Sequence, residues 1–152
     1  MRKLIVFVSN ISDYTTSLVN ELNNMKIPIK CFYGASSEYY SKICGIKDKI
    51  IYENELLDLI NKKKDSFIGL NGGIEWIINE QIISVLPTLN LHPSLLPKNR
   101  GSHHSFWAIM NDENYGATLH WMDSDLDTGP ILNQKSISND FKSTAGKVQK
   151  QS

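Results

Sequence analysis

The sequence predicts one α/β domain built on a doubly wound, mostly parallel sheet. The chain opens with a run of β-branched and aromatic residues, residues 4–8, which is typical of a strand buried on both faces at the centre of a sheet. Apolar runs then alternate with segments of helical periodicity, as parallel strands joined by crossover helices require. No repeat, low-complexity tract or linker interrupts residues 1–152, so they are expected to form one domain.

The first half of the chain predicts three further strands and the helices between them. Residues 12–25 have apolar side chains at helical spacing, and Ser12 or Asp13 can cap the start of this helix. The other elements predicted here are strands at residues 29–33, 49–52 and 66–70, a helix at residues 54–62 and only a short helical turn within residues 34–45. Asn71-Gly72-Gly73 then predicts a sharp turn, or a close approach of ligand to backbone.

The second half predicts two helices and three strands. The helices are expected at residues 80–86 and 105–110, and the strands at residues 88–92, 116–122 and 131–138. The last two strands alternate apolar and polar residues and are expected to pair with each other. Residues 144–151 begin another helix as the chain reaches Ser152, so the domain is expected to be truncated at its C-terminal helix.

Composition gives no support to several classes of partner. Sixteen Lys and Arg residues balance sixteen Asp and Glu residues, which leaves no basic field to attract nucleic acid. No apolar run is long enough for a signal peptide or a membrane span, so a cytoplasmic protein without a membrane partner is expected. Cys31 and Cys44 match no zinc signature and are expected to be buried thiols. The four histidines complete no recognisable ligand set, so no metal is expected.

Two polar side chains lie at the end of a predicted strand, where open parallel sheets bind their ligands. Asn90 and His92 are separated by one residue, so both side chains point to the same face. The loop at residues 123–130 contains Asp123, Asp125 and Asp127 before a Thr-Gly-Pro turn, and it can bring a carboxylate to the histidine. Taken singly, each has a structural alternative: a capping residue at the strand end, or an Asx turn at Asp127.

The combined motifs resemble the signature of the formyltransferase family. The matching segments are Asn90-Leu-His-Pro-Ser-Leu-Leu-Pro97, Asn99-Arg-Gly101 and Leu126-Asp-Thr-Gly-Pro-Ile131, and the spacing of His92 and Asp127 is close to that of the family. The resemblance is clear from about Phe67 onward and weak before it. It implies a Rossmann-like formyltransferase core that transfers a formyl group from 10-formyltetrahydrofolate to a primary amine.

The resemblance also implies roles for individual residues. Attack of an amine on a formyl carbonyl develops negative charge on oxygen, so the reaction needs a hydrogen-bond donor there and a proton acceptor for the amine. Asn90 and His92 would act on the oxygen, and Asp127 would orient the histidine and relay the amine proton.

The folate donor of this family is bound through backbone groups of the loop after the fourth strand. This loop corresponds to residues 71–77, so Glu75, Trp76 and Ile77 are candidate donor-binding residues, with Asp123 on the other wall. Asp123 and Asp125 have the alternative of solvated loop charges. Three other aromatic residues are predicted to be core: Phe106, Trp107 and Trp121.

The expected partner is a small-molecule amine, and the amino group of a nucleotide-linked sugar is the first choice. Residues 99–101, 105–109 and 116–120 are most similar to enzymes that formylate such sugars. Glycinamide ribonucleotide is second, because the turn at residues 9–14 lacks the glycine of a phosphate-binding turn. Methionyl-tRNA is third, because it would require a second domain and a basic surface. A non-catalytic folate-binding fragment is the remaining alternative, and a homodimer is left open.

Overall fold

A computed structural model describes residues 1–63, 65–74 and 76–137. The predicted helix start at residues 144–151 lies outside the described residues. The strands are β1 (Lys3–Phe7), β2 (Ile29–Tyr33), β3 (Lys49–Ile50), β4 (Phe67–Asn71), β5 (Thr88–His92), β6 (Tyr115–Trp121) and β7 (Ile131–Ile137). The helices are α1 (Asp13–Asn24), α2 (Ser37–Ile43), α3 (Glu53–Lys62), α4 (Glu80–Ile83) and α5 (His104–Met110). The strands form one sheet in the order β3-β2-β1-β4-β5-β6-β7, which confirms the predicted fold class.

The chain folds as two compact units, of which the first is Met1–Thr88. Strand β1 pairs in parallel with both β2 and β4, and β2 pairs in parallel with β3. Ile5, Val6 and Phe7 are fully buried, as predicted for a strand covered on both faces. The apolar start of the chain therefore supplies one of the two inner strands among these four parallel strands.

Helix α1 begins where the sequence predicts it. Ser12 has an extended backbone, and its Oγ accepts a hydrogen bond from the Thr15 backbone N–H at 3.1 Å. This contact satisfies a backbone N–H that has no partner inside the helix, and Asp13 in the first turn complements the helix dipole. Val19 turns inward and packs in the core cluster that includes Phe32.

The turn after β4 has the predicted glycine geometry. Oδ1 of Asn71 accepts hydrogen bonds from the backbone N–H groups of Gly73 and Ile74, both at 3.0 Å. Gly73 has a φ of 104°, and a Cβ there would lie 2.7 Å from Oγ1 of Thr15. Only glycine fits both the backbone conformation and the space.

The second compact unit begins at Leu89. Strand β6 pairs antiparallel with β5 and with β7, which confirms the predicted pairing of the last two strands. The register between β5 and β6 places His120 opposite Asn90 and Thr118 opposite His92. Directly opposed residues have adjacent side chains, so β6 contributes to the surroundings of both predicted site residues.

Several predicted boundaries differ from the structure. Helix α2 is a full element where only a short helical turn is expected, because Tyr40 and Ser41 are buried by the surrounding fold. Strand β3 and helix α4 are shorter than predicted, as short segments with few buried residues commonly are. Within the described part of the chain, no helix is long and apolar enough to span a membrane.

Two predictions about buried residues are wrong. Phe106 and Trp107 are 50% and 51% exposed, because α5 turns Ser105 and Ala108 inward and thereby directs the two aromatic residues outward. Cys44 is only half-buried, whereas Cys31 is fully buried as expected. Burial raises the pKa of the Cys31 thiol to about 12, which keeps this thiol protonated and unreactive.

Candidate active site

Asn90 and His92 are buried on β5, with 8% and 5% of their surfaces exposed. Nδ2 of Asn90 donates a hydrogen bond to Oδ1 of Asp127 at 3.1 Å and lies 3.1 Å from Nε2 of His120. Nδ1 of His92 lies 3.5 Å from Oδ2 of Asp127. The structure thus brings together the three residues predicted to be catalytic, all within the second unit.

Asp127 is the centre of these contacts. Its carboxylate is 8% exposed, and Oδ2 accepts a hydrogen bond from the backbone N–H of Gly101 at 2.9 Å. Burial raises the pKa of this carboxyl, but contacts with His120, Gly101 and His92 lower it by more, so the pKa lies below its ordinary value. Both oxygens of an ionised Asp127 are therefore engaged within the protein.

The loop after β5 contacts the other ring nitrogen of His92. Nε2 of His92 lies 2.9 Å from the backbone carbonyl oxygen of Asn99, which can only accept, so this nitrogen carries the proton. Asn99 has a φ of 52°, and its side chain donates to Oε2 of Glu113 at 3.0 Å. Asn tolerates this left-handed backbone better than most residues. The loop therefore fixes the orientation of the His92 ring.

His120 belongs to the same network, although sequence reasoning assigns it no role there. It is 1% exposed, and its Nδ1 lies 2.8 Å from the carbonyl oxygen of Trp121. Nδ1 can donate to that oxygen, and Nε2 lies 3.1 Å from Nδ2 of Asn90 and 3.6 Å from Oδ1 of Asp127, so His120 contacts two of the predicted residues. The position of His120 opposite Asn90 could have been found only from the strand register, because nothing in the local sequence marks it.

A second polar cluster lies beside His92 and was also missed. The rings of His92 and His104 meet edge to face, with centroids 5.2 Å apart. Nδ1 of His104 lies 3.2 Å from the hydroxyl oxygens of both Tyr115 and Ser105, and these two oxygens are 2.7 Å apart. Burial, followed by the neighbouring His92, lowers the pKa of His104 to about 4, with Asp127 opposing the shift. His104 is therefore uncharged at neutral pH.

The depressed pKa of His104 predicts a stability change with pH. The unfolded chain binds a proton on this residue near pH 6.5, whereas the folded chain does so only near pH 4. The stabilising contribution of neutral His104 is therefore present above pH 6.5 and is lost as the pH falls toward 4. We expect the melting temperature of the wild type to fall more steeply across this interval than that of His104→Gln. Equal slopes, or an NMR titration of His104 near its ordinary pKa, would contradict this.

No group of three metal-ligating side chains occurs among the described residues. His103 precedes α5 with a φ of 59° and is exposed, whereas His104 is turned toward Tyr115. Neighbouring histidines thus face different surroundings, as their adjacency predicts.

The candidate donor-binding residues have different settings. Trp76 and Ile77 follow β4 in the first unit, and 43% and 87% of their surfaces are exposed. Large apolar side chains this exposed are available to a ligand. In the second unit, Oδ1 of Asp123 accepts a hydrogen bond from Oγ1 of Thr128 at 2.6 Å, so this residue also stabilises its own loop. Glu75 lies outside the described residues.

The chain that forms this sheet and this polar cluster matches a known family. The model of the formyl transferase family matches residues 7–152 of the chain. The chain therefore belongs to the formyl transferase family, which confirms the resemblance seen in its motifs.

Individual relatives agree with this assignment. GDP-perosamine N-formyltransferase of Brucella melitensis biotype 1 is 31% identical over 84% of this chain. The chain spans 54% of the length of that relative. The bifunctional polymyxin resistance protein ArnA of Wigglesworthia glossinidia brevipalpis is 41% identical over 72% of this chain, and the match spans 17% of that protein.

A solved structure supports the fold. Phosphoribosylglycinamide formyltransferase from Streptococcus pneumoniae TIGR4 superposes on the chain with a TM-score of 0.78, covering 99% of this chain and 89% of that chain. The two sequences are 21% identical, so this likeness bears on the fold alone.

Proposed function

We propose that the protein transfers a formyl group from 10-formyltetrahydrofolate to a primary amine, with Asn90, His92 and Asp127 as its catalytic residues. The observation that carries this proposal is the buried carboxylate of Asp127, which contacts both Asn90 and His92. Burying a carboxylate and an imidazole together is costly unless they act on each other or on a ligand. A purely structural turn residue would not require such surroundings.

The chemistry follows from the groups present. As the amine attacks the formyl carbon, the carbonyl oxygen gains negative charge, which N–H donors at Asn90 and His92 would stabilise. To serve this oxygen, an N–H of Asn90 must leave its present acceptor, or Nε2 of His92 must leave the carbonyl of Asn99. Contacts between protein groups in a free enzyme are commonly exchanged for substrate contacts on binding.

Asp127 has two proposed tasks, and the contacts favour one of them. Hydrogen bonds from Asn90 and Gly101 hold the carboxylate, and the carboxylate in turn orients the His92 ring. Relay of the amine proton by Asp127 remains part of the proposal, and it requires that a substrate amine or a water molecule displace one of these donors.

The donor-binding part of the proposal rests on exposure and position. Trp76 and Ile77 offer exposed apolar surface suited to an aromatic ring system. We retain Glu75 and Asp123 as proposed donor-binding residues because of their places in the sequence motifs. No metal takes part in the proposed chemistry.

The acceptor that we propose is the amino group of a nucleotide-linked sugar. The Brucella melitensis relative is named for GDP-perosamine, and it is similar over most of this chain. Glycinamide ribonucleotide remains the second candidate, because the turn at residues 9–14 lacks the glycine of a phosphate-binding turn.

Turnover with a panel of amines tests the proposal. The purified chain is incubated with 10-formyltetrahydrofolate and, separately, GDP-perosamine, glycinamide ribonucleotide or methionyl-tRNA, and formylated product is measured by mass spectrometry. We expect product from a nucleotide-linked amino sugar. Donor binding without product from any amine would instead indicate a non-catalytic folate-binding fragment.

Alanine substitution tests the two proposed donors separately. Asn90→Ala and His92→Ala should each lower kcat by about a hundredfold or more, the usual effect of removing one oxyanion donor. His103→Asn is the matched control, because His103 is exposed and asparagine tolerates its left-handed backbone. Near-normal kcat in either alanine variant would remove that residue from the mechanism.

A further inference from the structure

The two side chains proposed to stabilise the formyl oxygen already donate within the protein. Nδ2 of Asn90 donates hydrogen bonds to Oδ1 of Asp127 and Nε2 of His120, and Nε2 of His92 donates to the carbonyl oxygen of Asn99. An oxyanion must therefore displace one of these acceptors or find another donor nearby. Such a donor would have to lie next to His92 and have an N–H that is not already committed.

His104 has this position and chemistry. Its ring meets that of His92 edge to face at a centroid distance of 5.2 Å, and the residue is only half-buried. Nδ1 faces the hydroxyls of Tyr115 and Ser105. Nε2 lies on the opposite side of the ring from Nδ1, so it is the nitrogen left to reach a ligand.

The surrounding hydroxyls determine which nitrogen of His104 carries the proton. Tyr115 and Ser105 are 1% and 5% exposed, so their hydroxyl hydrogens must find acceptors inside the protein. An unprotonated Nδ1 provides one, because Ser105 can then donate to Tyr115 and Tyr115 can donate to Nδ1. A proton on Nδ1 would instead compete with these hydrogens. The arrangement favours the tautomer with its proton on Nε2.

We propose that His104 is a further substrate-contacting residue, whose Nε2 donates a hydrogen bond to the formyl oxygen as that oxygen becomes negatively charged. The proposal rests on the proposed formyl transfer and adds to it a third N–H donor, which carries no positive charge. The lowered pKa is consistent with this role, since a neutral imidazole donates without transferring its proton. No covalent bond forms at His104.

Three substitutions separate donation to substrate from support of the fold. His104→Gln places an amide nitrogen near the position of Nε2, His104→Asn places one near Nδ1, and His104→Phe keeps a ring without a donor. We expect His104→Gln to retain kcat within about tenfold, and His104→Asn and His104→Phe to lose about a hundredfold. The assay uses 10-formyltetrahydrofolate and the amine of the panel that the wild type formylates fastest.

A purely structural role for His104 predicts a different order of kcat among the three variants. If its only task is to hold Tyr115 and Ser105, His104→Asn should be the most active variant, because asparagine can still contact both hydroxyls. That order, or near-normal kcat in His104→Phe, overturns the inference while leaving formyl transfer intact. His103→Asn serves as the control and should match the wild type. A wild type that formylates no amine rejects the proposed function and this inference together.

The tautomer can be measured without any substrate. Long-range ¹H–¹⁵N correlation spectra of the wild type distinguish a protonated from an unprotonated imidazole nitrogen. At pH 7 we expect His104 to have a protonated Nε2 and an unprotonated Nδ1. A protonated Nδ1 would contradict the proposal even if every kinetic variant behaved as expected.

Discussion

Asp127→Asn is expected to lower kcat by about a thousandfold or more, the scale seen when a carboxylate that orients a catalytic histidine becomes an amide. The carboxylate receives donors on both oxygens, from Asn90 on one side and Gly101 on the other. An amide has one oxygen, so its NH₂ group must face one of these donors whichever way it is turned. Either orientation disturbs Asn90 or the surroundings of His92.

Backbone strain at residue 127 would not cause this loss of kcat. Asp127 has a φ of 53°, which asparagine tolerates about as well as aspartate. Stability should fall by only about 1–3 kcal/mol, the cost of one buried donor left without an acceptor. The measurement is kcat and KM at a temperature where circular dichroism shows both proteins folded.

Asp125→Asn is the matched control for this variant. Asp125 is an exposed acid in the same loop, and we expect its kinetics to equal those of the wild type. If Asp127 merely stabilises the turn, asparagine should replace it with little kinetic effect, because both residues form Asx turns. Unchanged kcat in Asp127→Asn would therefore assign the residue to the turn alone.

Gly129→Ala should cause the largest loss of stability, about 3 kcal/mol or more. A Cβ at Gly129 would lie 1.9 Å from the carbonyl oxygen and 2.8 Å from the carbonyl carbon of Trp121. These are backbone atoms at the end of β6, where the N–H of Trp121 also donates to the carbonyl of Pro130. The clash cannot be relieved by rotating a side chain, so the loop that contains Asp127 must move.

The expected effect is a fall in melting temperature of about 10 °C for a domain of this size. Gly45→Ala is the comparison, because Gly45 has a φ of 64° but no atom within 4 Å of a Cβ. It should cost only about 1 kcal/mol, the penalty of the left-handed backbone itself. Equal melting temperatures for the two variants would show that the approach of Gly129 to Trp121 is looser than described.

Local patterns in the sequence predict much of the fold. The apolar run of β1, the capped start of α1 and the bounds of β5 are all visible in a few neighbouring residues, and the structure confirms them. Predictions fail where burial is decided by distant contacts. Helix α5 illustrates this, because its periodicity does not reveal that Phe106 and Trp107 face outward.

The candidate site likewise contains residues that local sequence predicts and residues that only the tertiary structure reveals. Asn90 and His92 are indicated by their place at a strand end, and Asp127 by the motif that follows. His120 and His104 could not be predicted in their present positions, because one depends on strand register and the other on how α5 packs. Tertiary structure, and not sequence spacing, brings the rings of these two histidines next to the predicted residues.

Two of the contacts that hold the candidate site come from main-chain atoms. The carbonyl of Asn99 accepts from His92, and the N–H of Gly101 donates to Asp127, so one short loop positions both residues. Alanine scanning leaves these main-chain atoms in place and therefore does not measure their contribution. Amide-to-ester replacement at Gly101 removes the N–H alone, and it would reveal how much of the site's geometry is encoded in the polypeptide backbone.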